Sequence, residues 1–259
     1  MSTKPKRTTI PAALGVALVL AGSAVAGPTA GSGAAARSCD DPLPRGAEPS
    51  NLDPADFTTR ITNPYWPMAP GNRWVYRATD ANGNVQRIVV TVTKRTRRVA
   101  NGVRARVVRD VVTEKGRPIE ATDDWYAQDA CGNIWYLGEA TTQYENGKPT
   151  ATKGSFEAGV DGAQAGIAIP ADPRPGMEYR QEFYAGEAED AARVLSVREQ
   201  AEVPFGHFTD VLLTRDYTPL EPRALEFKLY ARGVGPVLAL DISGGSVREE
   251  LVRFHKGRG

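Results

Sequence analysis

Histidine and cysteine are scarce in this sequence, and their scarcity limits the chemistry it can support. Of the 259 residues, two are histidines and two are cysteines. His255 lies in a basic tail and His207 in a short turn, and no Gly-x-Ser-x-Gly segment is present. A hydrolase of the usual serine or cysteine triad type is therefore not expected. Two cysteines also cannot supply a four-ligand zinc site. No cofactor is predicted, since the chain has no glycine-rich phosphate loop.

A large excess of charge of either sign is also absent. The full chain has 32 basic and 31 acidic residues, a formal net charge of +1. Loss of residues 1–26 would remove three basic residues, which leaves 29 basic against 31 acidic. Because nucleic-acid binding depends on a strong basic field, no nucleic-acid partner is expected.

The single long apolar stretch is near the beginning of the chain, and it predicts export. Residues 1–26 have a basic head, an apolar run from Ala12 to Leu20 and the small-residue cleavage pattern Ala24-Val25-Ala26. The run is short for a bilayer-spanning helix, which needs about 20 apolar residues. We expect a cleaved signal peptide, a mature chain without a transmembrane segment and a secreted or extracytoplasmic location. An uncleaved anchor and a lipid-modified Cys39 are the alternatives.

The two cysteines predict a disulfide bond between Cys39 and Cys131, because isolated pairs in exported proteins are usually joined. A disulfide that closes a loop of this length constrains the unfolded chain, which stabilises the folded protein by about 4–5 kcal/mol on the chain-entropy model. The bond would hold residues 27–56, a flexible N-terminal arm rich in Gly, Ala, Pro and Ser, against a single domain over residues 57–259.

In most of that domain apolar and polar residues alternate along the chain, which is typical of strands with one buried face. In the segment from Leu225 to Tyr230, for example, Leu225, Phe227 and Leu229 are predicted to face the core, and Glu226, Lys228 and Tyr230 to face water. Turn pairs such as Asn82-Gly83 and Gly244-Gly245 separate the strands. The predicted fold is all-β: a large, curved antiparallel sheet, a half-barrel or open barrel, with one long irregular insertion at 153–176.

Three short patches strengthen this prediction. They are Pro64 to Tyr76, the Val-Pro-x-Gly-x-Phe turn from Val203 to Phe208, and the Tyr-Ala-x-Gly-Val-Gly-x-Val hairpin from Tyr230 to Val237. Together they resemble secreted bacterial β-sheet proteins that are largely uncharacterised, some of them similar to the half-barrel of lipoprotein carriers (LolA-like). The resemblance implies the fold and leaves the chemistry open. In the closing hairpin, Gly233 and Gly235 are expected to adopt positive backbone φ angles.

Acidic and aromatic residues on what should be adjoining strands form the first candidate site. Asp124 and Glu139 could act as an acid and base pair. The neighbouring rings of Trp125, Tyr126, Trp135 and Tyr136 could contact a ligand, or could simply stabilise a strand pair. The insertion carries Phe156 and Ile167, which we expect to cover these rings as a mobile lid.

A second acidic group consists of Glu187, Glu189 and Asp190. Clustered acids are typical of calcium sites, but the spaced ligands and glycine of an EF-hand loop are missing. A solvated acidic face is the alternative, and no metal is assigned.

Two functions of different classes remain open from the sequence. The first is a non-catalytic exported protein that binds an apolar or amphipathic ligand, a lipophilic small molecule or an envelope component, on its concave face. The second is a carboxylate-dependent extracellular hydrolase or lyase acting on a glycan-like substrate.

Overall fold

The computed structural model describes residues 38–258 of the chain. The predicted signal peptide and the beginning of the arm lie outside the described residues. Within residues 38–258 the one helix is a 3₁₀ turn at Pro54–Asp56. No helix in this part of the chain is both long enough and apolar enough to cross a membrane.

The described residues form sixteen strands that belong to one antiparallel sheet system. In chain order they are β1 Phe57–Thr58, β2 Arg73–Thr79, β3 Val85–Arg98, β4 Arg104–Glu114, β5 Arg117–Asp129, β6 Ile134–Glu145, β7 Lys148–Ala151, β8 Phe156–Glu157, β9 Gln164–Ile169, β10 Glu178–Arg180, β11 Glu182–Phe183, β12 Ala191–Val203, β13 Gly206–Tyr217, β14 Leu225–Ala231, β15 Gly235–Ser243 and β16 Arg248–His255. Neighbouring strands follow the order β10-β12-β13-β14-β15-β16-β2-β3-β4-β5-β6-β9-β11. The predicted all-β class and the meander of the early strands are confirmed.

The sheet is nearly closed into a barrel with an unsealed seam, and one kinked segment occupies that seam. Its first half, β10, pairs with β12, while its second half, β11, pairs with β9 on the other side. Gln181 alone separates the two halves. Close approach is possible because β9 carries Gly166, where an added Cβ would lie 2.4 Å from the carbonyl carbon of Gln181. Each half therefore has a strand partner on one side.

The described part of the N-terminal arm, residues 38–56, lies along this seam and is held there by a buried arginine. Arg180 is 2% exposed, and its guanidinium donates to the carbonyls of Gly46 and Glu48 at 2.6 and 2.7 Å. The same guanidinium donates to the carbonyl of Ala165 on β9 at 2.8 Å. The predicted disulfide between Cys39 and Cys131 is present, and it joins the arm to the β5–β6 turn.

The insertion at 153–176 is more regular than its glycines and prolines predict. It contains β8 and β9, and β9 pairs with β6 in the barrel wall. Phe156 and Ile167 are buried, at 5% and 0% exposure, in the core of the protein. The expectation of a mobile lid is therefore wrong, since this segment is a paired part of the wall.

The turn predictions agree with the structure. Asn82-Gly83 connects β2 to β3, and Gly244-Gly245 connects β15 to β16. Gly233 and Gly235 have φ angles of 76° and 113°, as expected for the closing hairpin. Gly235 has a second role, because an added Cβ there would lie 2.8 Å from the ring of Trp66.

Candidate functional site in the barrel interior

The inward-facing side chains change from charged to aromatic between one end of the barrel and the other. Along β14 they run from Glu226 through Lys228 to Tyr230. Along β5 they run from Glu120 through Asp124 to Tyr126. Tyr126 and Tyr230 lie at the same end, since the ring of Trp66 is 5.4 and 6.2 Å from theirs. The interior therefore has an aromatic end and a carboxyl end.

The aromatic end is a set of rings in mutual contact. Trp74 stacks on Phe254 with ring centroids 5.3 Å apart, and its indole nitrogen donates to the carbonyl of Val234 at 2.8 Å. Tyr126 stacks on Tyr136 at 4.9 Å. The six residues that define this end are Trp66, Trp74, Tyr126, Tyr136, Tyr230 and Phe254. Buried aromatic surface of this kind dominates core energetics.

The first wall of the carboxyl end is formed by β4, β5 and β6, where antiparallel register brings acids into direct contact. Asp124 lies opposite Glu139. The hydroxyl of Tyr136 lies 2.9 Å from Oδ1 of Asp124 and 2.7 Å from Oε2 of Glu139. A tyrosine hydroxyl carries one proton, so it donates to one carboxylate and accepts from the other carboxyl when that group is protonated. The Thr141 hydroxyl donates to Oε1 of Glu139 at 2.8 Å.

Burial favours the protonated form of these acids. It raises the pKa of Asp110 to about 8, with added repulsion from Glu120 and Glu139. It raises the pKa of Glu139 to about 7, although hydrogen bonds from Tyr136 and Thr141 oppose the shift. The pKa of Asp124 is also raised by burial and then by the Glu139 charge. Oδ1 of Asp110 and Oδ2 of Asp124 are buried without a hydrogen-bond partner in the structure, which is the costly situation for an ionised oxygen.

The opposite wall, formed by β13 to β16, contains a buried cation between two acids. Lys228 Nζ lies 3.0 Å from Oδ2 of Asp216 and 3.0 Å from Oε2 of Glu226. Burial alone would lower the pKa of Lys228, but the charges of Asp216 and Glu226 outweigh it and raise this pKa. The side chains of Lys228 and Glu226 are 13% and 14% exposed, so water screens the cluster little. This ion-paired group is the counterpart of the hydrogen-bonded acids on the first wall.

A small recess lies where the aromatic and carboxyl ends meet. It is lined by Tyr76, Lys228, Tyr230, Pro236, Leu238, Ala239 and Glu249. Ala239 is the register partner of both Lys228 and Glu249, so its small side chain leaves space between two charged ones. Neighbouring strands are about 4.8 Å apart, which places the two charged residues roughly two strand spacings from each other. The recess thus has charged and apolar walls in close proximity.

The predicted aromatic ligand residues do not form one surface. Trp125 lies under the guanidinium of Arg97, 4.0 Å from the ring centroid. Trp135 donates to Asp129 at 2.8 Å and contacts Phe57 edge-on. Tyr126, Tyr136 and Phe156 do contact one another in sequence, and Phe156 lies 5.4 Å from Tyr136. Ile167 is in the core on β9. All six side chains are buried.

The acidic group at the turn after β11 does not have the arrangement of a metal site. Among residues 38–258 no set of three or more histidine, cysteine or acidic side chains is positioned to hold a metal ion. Glu189 instead accepts a hydrogen bond from the backbone of Gly186 at 2.8 Å. Glu187, Glu189 and Asp190 are thus not gathered as calcium ligands.

Several interior residues could not be recognised from the sequence, because the alternating pattern places them on the solvent face. Glu226, Lys228 and Tyr230 were predicted to face water, and this is wrong: they face the barrel interior. Asp110 was also missed, although it interrupts a nearly continuous run of valines on β4. A charged residue within such a run was the available signal for a buried polar group.

The sequence matches no protein-family model and no curated protein. Among solved structures the chain is similar to a provisionally assigned lipoprotein from Parabacteroides distasonis, whose crystal structure was determined at 2.70 Å. The two are 12% identical with a TM-score of 0.38, and the alignment covers 74% of this chain and 98% of the other. The likeness is too distant to assign a function.

Proposed function

We propose that this protein is an exported binding protein that holds a small amphipathic amine in the recess of the barrel. The observation that carries the proposal is the lining of the recess, which combines Tyr76, Pro236 and Leu238 with Lys228 and Glu249. Ligand sites typically combine apolar walls with a few placed polar groups. The disulfide bond supports an oxidising, extracytoplasmic location.

The ligand class follows from the charge around the recess. Lys228 is already paired with Asp216 and Glu226, and Asp110 and Glu139 lie further along the interior. Where the pH is high enough to ionise these carboxyls they outnumber the cation, so an ammonium group is favoured over a carboxylate. The apolar part of the ligand would lie toward Tyr230 and the aromatic end. The recess has space for about one water-sized group, so Tyr76, Leu238 and their neighbours must move for any alkylamine to enter it.

The experiment compares a fluorescent alkylamine with the alkyl carboxylate and the alcohol of the same length. The secreted protein should bind the amine and bind it more tightly as the pH rises, because the interior acids ionise. Ala239→Leu fills the recess and should abolish binding, whereas Ala81→Leu in the exposed β2–β3 turn should not. Equal binding of all three probes, or unchanged binding by Ala239→Leu, would refute the proposal.

A second function is favoured by a specific observation, the contact between Asp124 and Glu139. Both carboxyls bond one tyrosine hydroxyl, and retaining glycosidases place their two carboxyls about 5–5.5 Å apart. The pKa of Glu139 at about 7 suits a general acid. However, the two residues are 1% and 8% exposed, so a glycan substrate would require the interior to open. Turnover of a soluble glycan that Glu139→Gln abolishes would support the enzyme over the binding protein.

A further inference from the structure

The hairpin between β12 and β13 presents an aromatic tip to solvent at the aromatic end of the barrel. Phe205 is 39% exposed. Its ring lies 6.3 Å from that of Phe208 and 6.4 Å from that of Phe254. Its backbone nitrogen donates to the carbonyl of Leu251 at 3.0 Å. The neighbouring strand adds Val252, also 39% exposed. The tip is therefore attached to the middle of β16 by a backbone hydrogen bond.

Exposed cations lie on the strands beyond this tip, at the beginning of β2, at the end of β16 and in the second half of β3. Arg73 lies opposite His255 in the β2–β16 register. The side-chain oxygen of Asn72 accepts a hydrogen bond from the backbone nitrogen of Gly257 at 2.8 Å. The backbone carbonyl of Asn72 accepts one from the backbone nitrogen of Val92 at 2.9 Å. These bonds bring the C-terminal tail beside Val92 in the middle of β3. The resulting basic rim consists of Arg73, Lys94, Arg253, Lys256 and Arg258, all exposed.

The cations of the basic rim are not paired with acids, although other exposed cations of the described residues, Lys115 and Arg117 among them, are unpaired too. None of its five members forms an ion pair within residues 38–258. Further along the same strands, Arg77 and Arg248 both pair with Glu250. Since the whole chain carries a net charge of only +1, the rim is a local asymmetry and not a general basic character. Exposed cations beside an exposed aromatic ring fit a partner that is both anionic and apolar.

We propose that the basic rim and Phe205 dock on an anionic phospholipid surface. Each cation near such a surface contributes about 1 kcal/mol through electrostatic attraction. Phe205 and Val252 enter the boundary between head groups and acyl chains, where aromatic and aliphatic side chains are stabilised. A soluble polyanion would use the cations and leave Phe205 without a role. A neutral protein surface would cover Phe205 and leave five cations unpaired. This inference is independent of the ligand proposed for the recess.

The test is sedimentation of the secreted protein with phosphatidylcholine vesicles that either contain or lack phosphatidylglycerol. We expect binding to the anionic vesicles that weakens as salt is added. The double variant Arg73→Gln with Arg253→Gln should lose roughly thirtyfold in affinity, the equivalent of two cations at about 1 kcal/mol each. Phe205→Ser should weaken binding at every salt concentration.

The matched control is Lys115→Gln with Arg117→Gln, which removes two exposed cations from the β4–β5 turn at the carboxyl end. This pair should bind as the wild type does. Equal loss in both double variants would show that net charge, not the rim, governs binding, and would overturn the proposal. So would equal binding to neutral vesicles, or anionic binding that Phe205→Ser leaves unchanged.

Discussion

At the aromatic end of the interior, Trp74 and Phe254 are stacked, and the buried indole has one hydrogen bond to a backbone carbonyl. At the carboxyl end, Lys228 lies between Asp216 and Glu226, and Asp124 and Glu139 meet at a tyrosine hydroxyl. The first arrangement stabilises the fold by removing apolar surface from water, largely independently of pH. The second depends on protons and ion pairs, so its contribution changes with pH. The two ends should therefore respond differently to mutation and to pH.

The largest expected effect is at the aromatic end. Trp74→Ala removes a fully buried ring and its hydrogen bond, and should lower the free energy of unfolding by about 4 kcal/mol. Urea denaturation measures the change, which should be similar at acidic and alkaline pH. The comparison variant Phe205→Ala, at an exposed position, should cost less than about 1 kcal/mol. A small effect of Trp74→Ala would mean that the aromatic rings contribute little to the free energy of unfolding.

The next effect sharpens the contrast at the carboxyl end. Lys228→Met leaves Asp216 and Glu226 without their cation and should cost about 3 kcal/mol near pH 8. The cost should shrink in mild acid, since burial raises the pKa of Glu226 to about 7 and this carboxyl can then be protonated. Denaturation at both pH values measures the difference, with the exposed Lys148→Met as the control. A loss that is equal at the two pH values would mean that the ion pair is not electrostatically important.

Much of this fold could be predicted from the sequence, but the orientation of the polar faces could not. Turn pairs such as Asn82-Gly83 marked strand ends because their conformational preferences are local. The pairing of Asp124 with Glu139 on adjoining strands also followed from short connections. Alternation alone does not state which face is inside, and in β14 the charged face is the inner one. The closing of the barrel by the kinked segment around Gln181 depends on contacts between distant segments, which no local pattern records.

A smaller effect is expected where the two ends meet. Tyr136→Phe removes the hydroxyl between Asp124 and Glu139 and should cost about 2 kcal/mol, since one buried carboxylate loses its donor and the other, protonated carboxyl loses its acceptor. The pKa of Glu139 should rise further, because the hydroxyl of Tyr136 lowers it in the wild type. Urea denaturation gives the first quantity and carbon NMR of the carboxyl groups the second. Tyr144→Phe, on the same strand and partly exposed, serves as the control. An unchanged pKa of Glu139 would show that the hydroxyl of Tyr136 does not affect the ionisation of this carboxyl.

The direction of the pH dependence follows from the raised pKa values. Asp110 has a pKa of about 8 in the folded protein, and Glu139 and Glu226 have pKa values of about 7. In the unfolded chain such groups titrate near 4. The folded protein therefore binds more protons between these limits, and this contribution to stability is complete below pH 4. It is lost as the pH rises through 7 and then 8.

The most direct test of the two-ended interior is the free energy of unfolding measured from about pH 5 to pH 9. The wild type should lose stability on the order of a few kcal/mol over this range, and Asp110→Asn with Glu139→Gln should flatten the decline. A wild-type free energy of unfolding that is constant or rises toward pH 9 would contradict protonated acids at the carboxyl end.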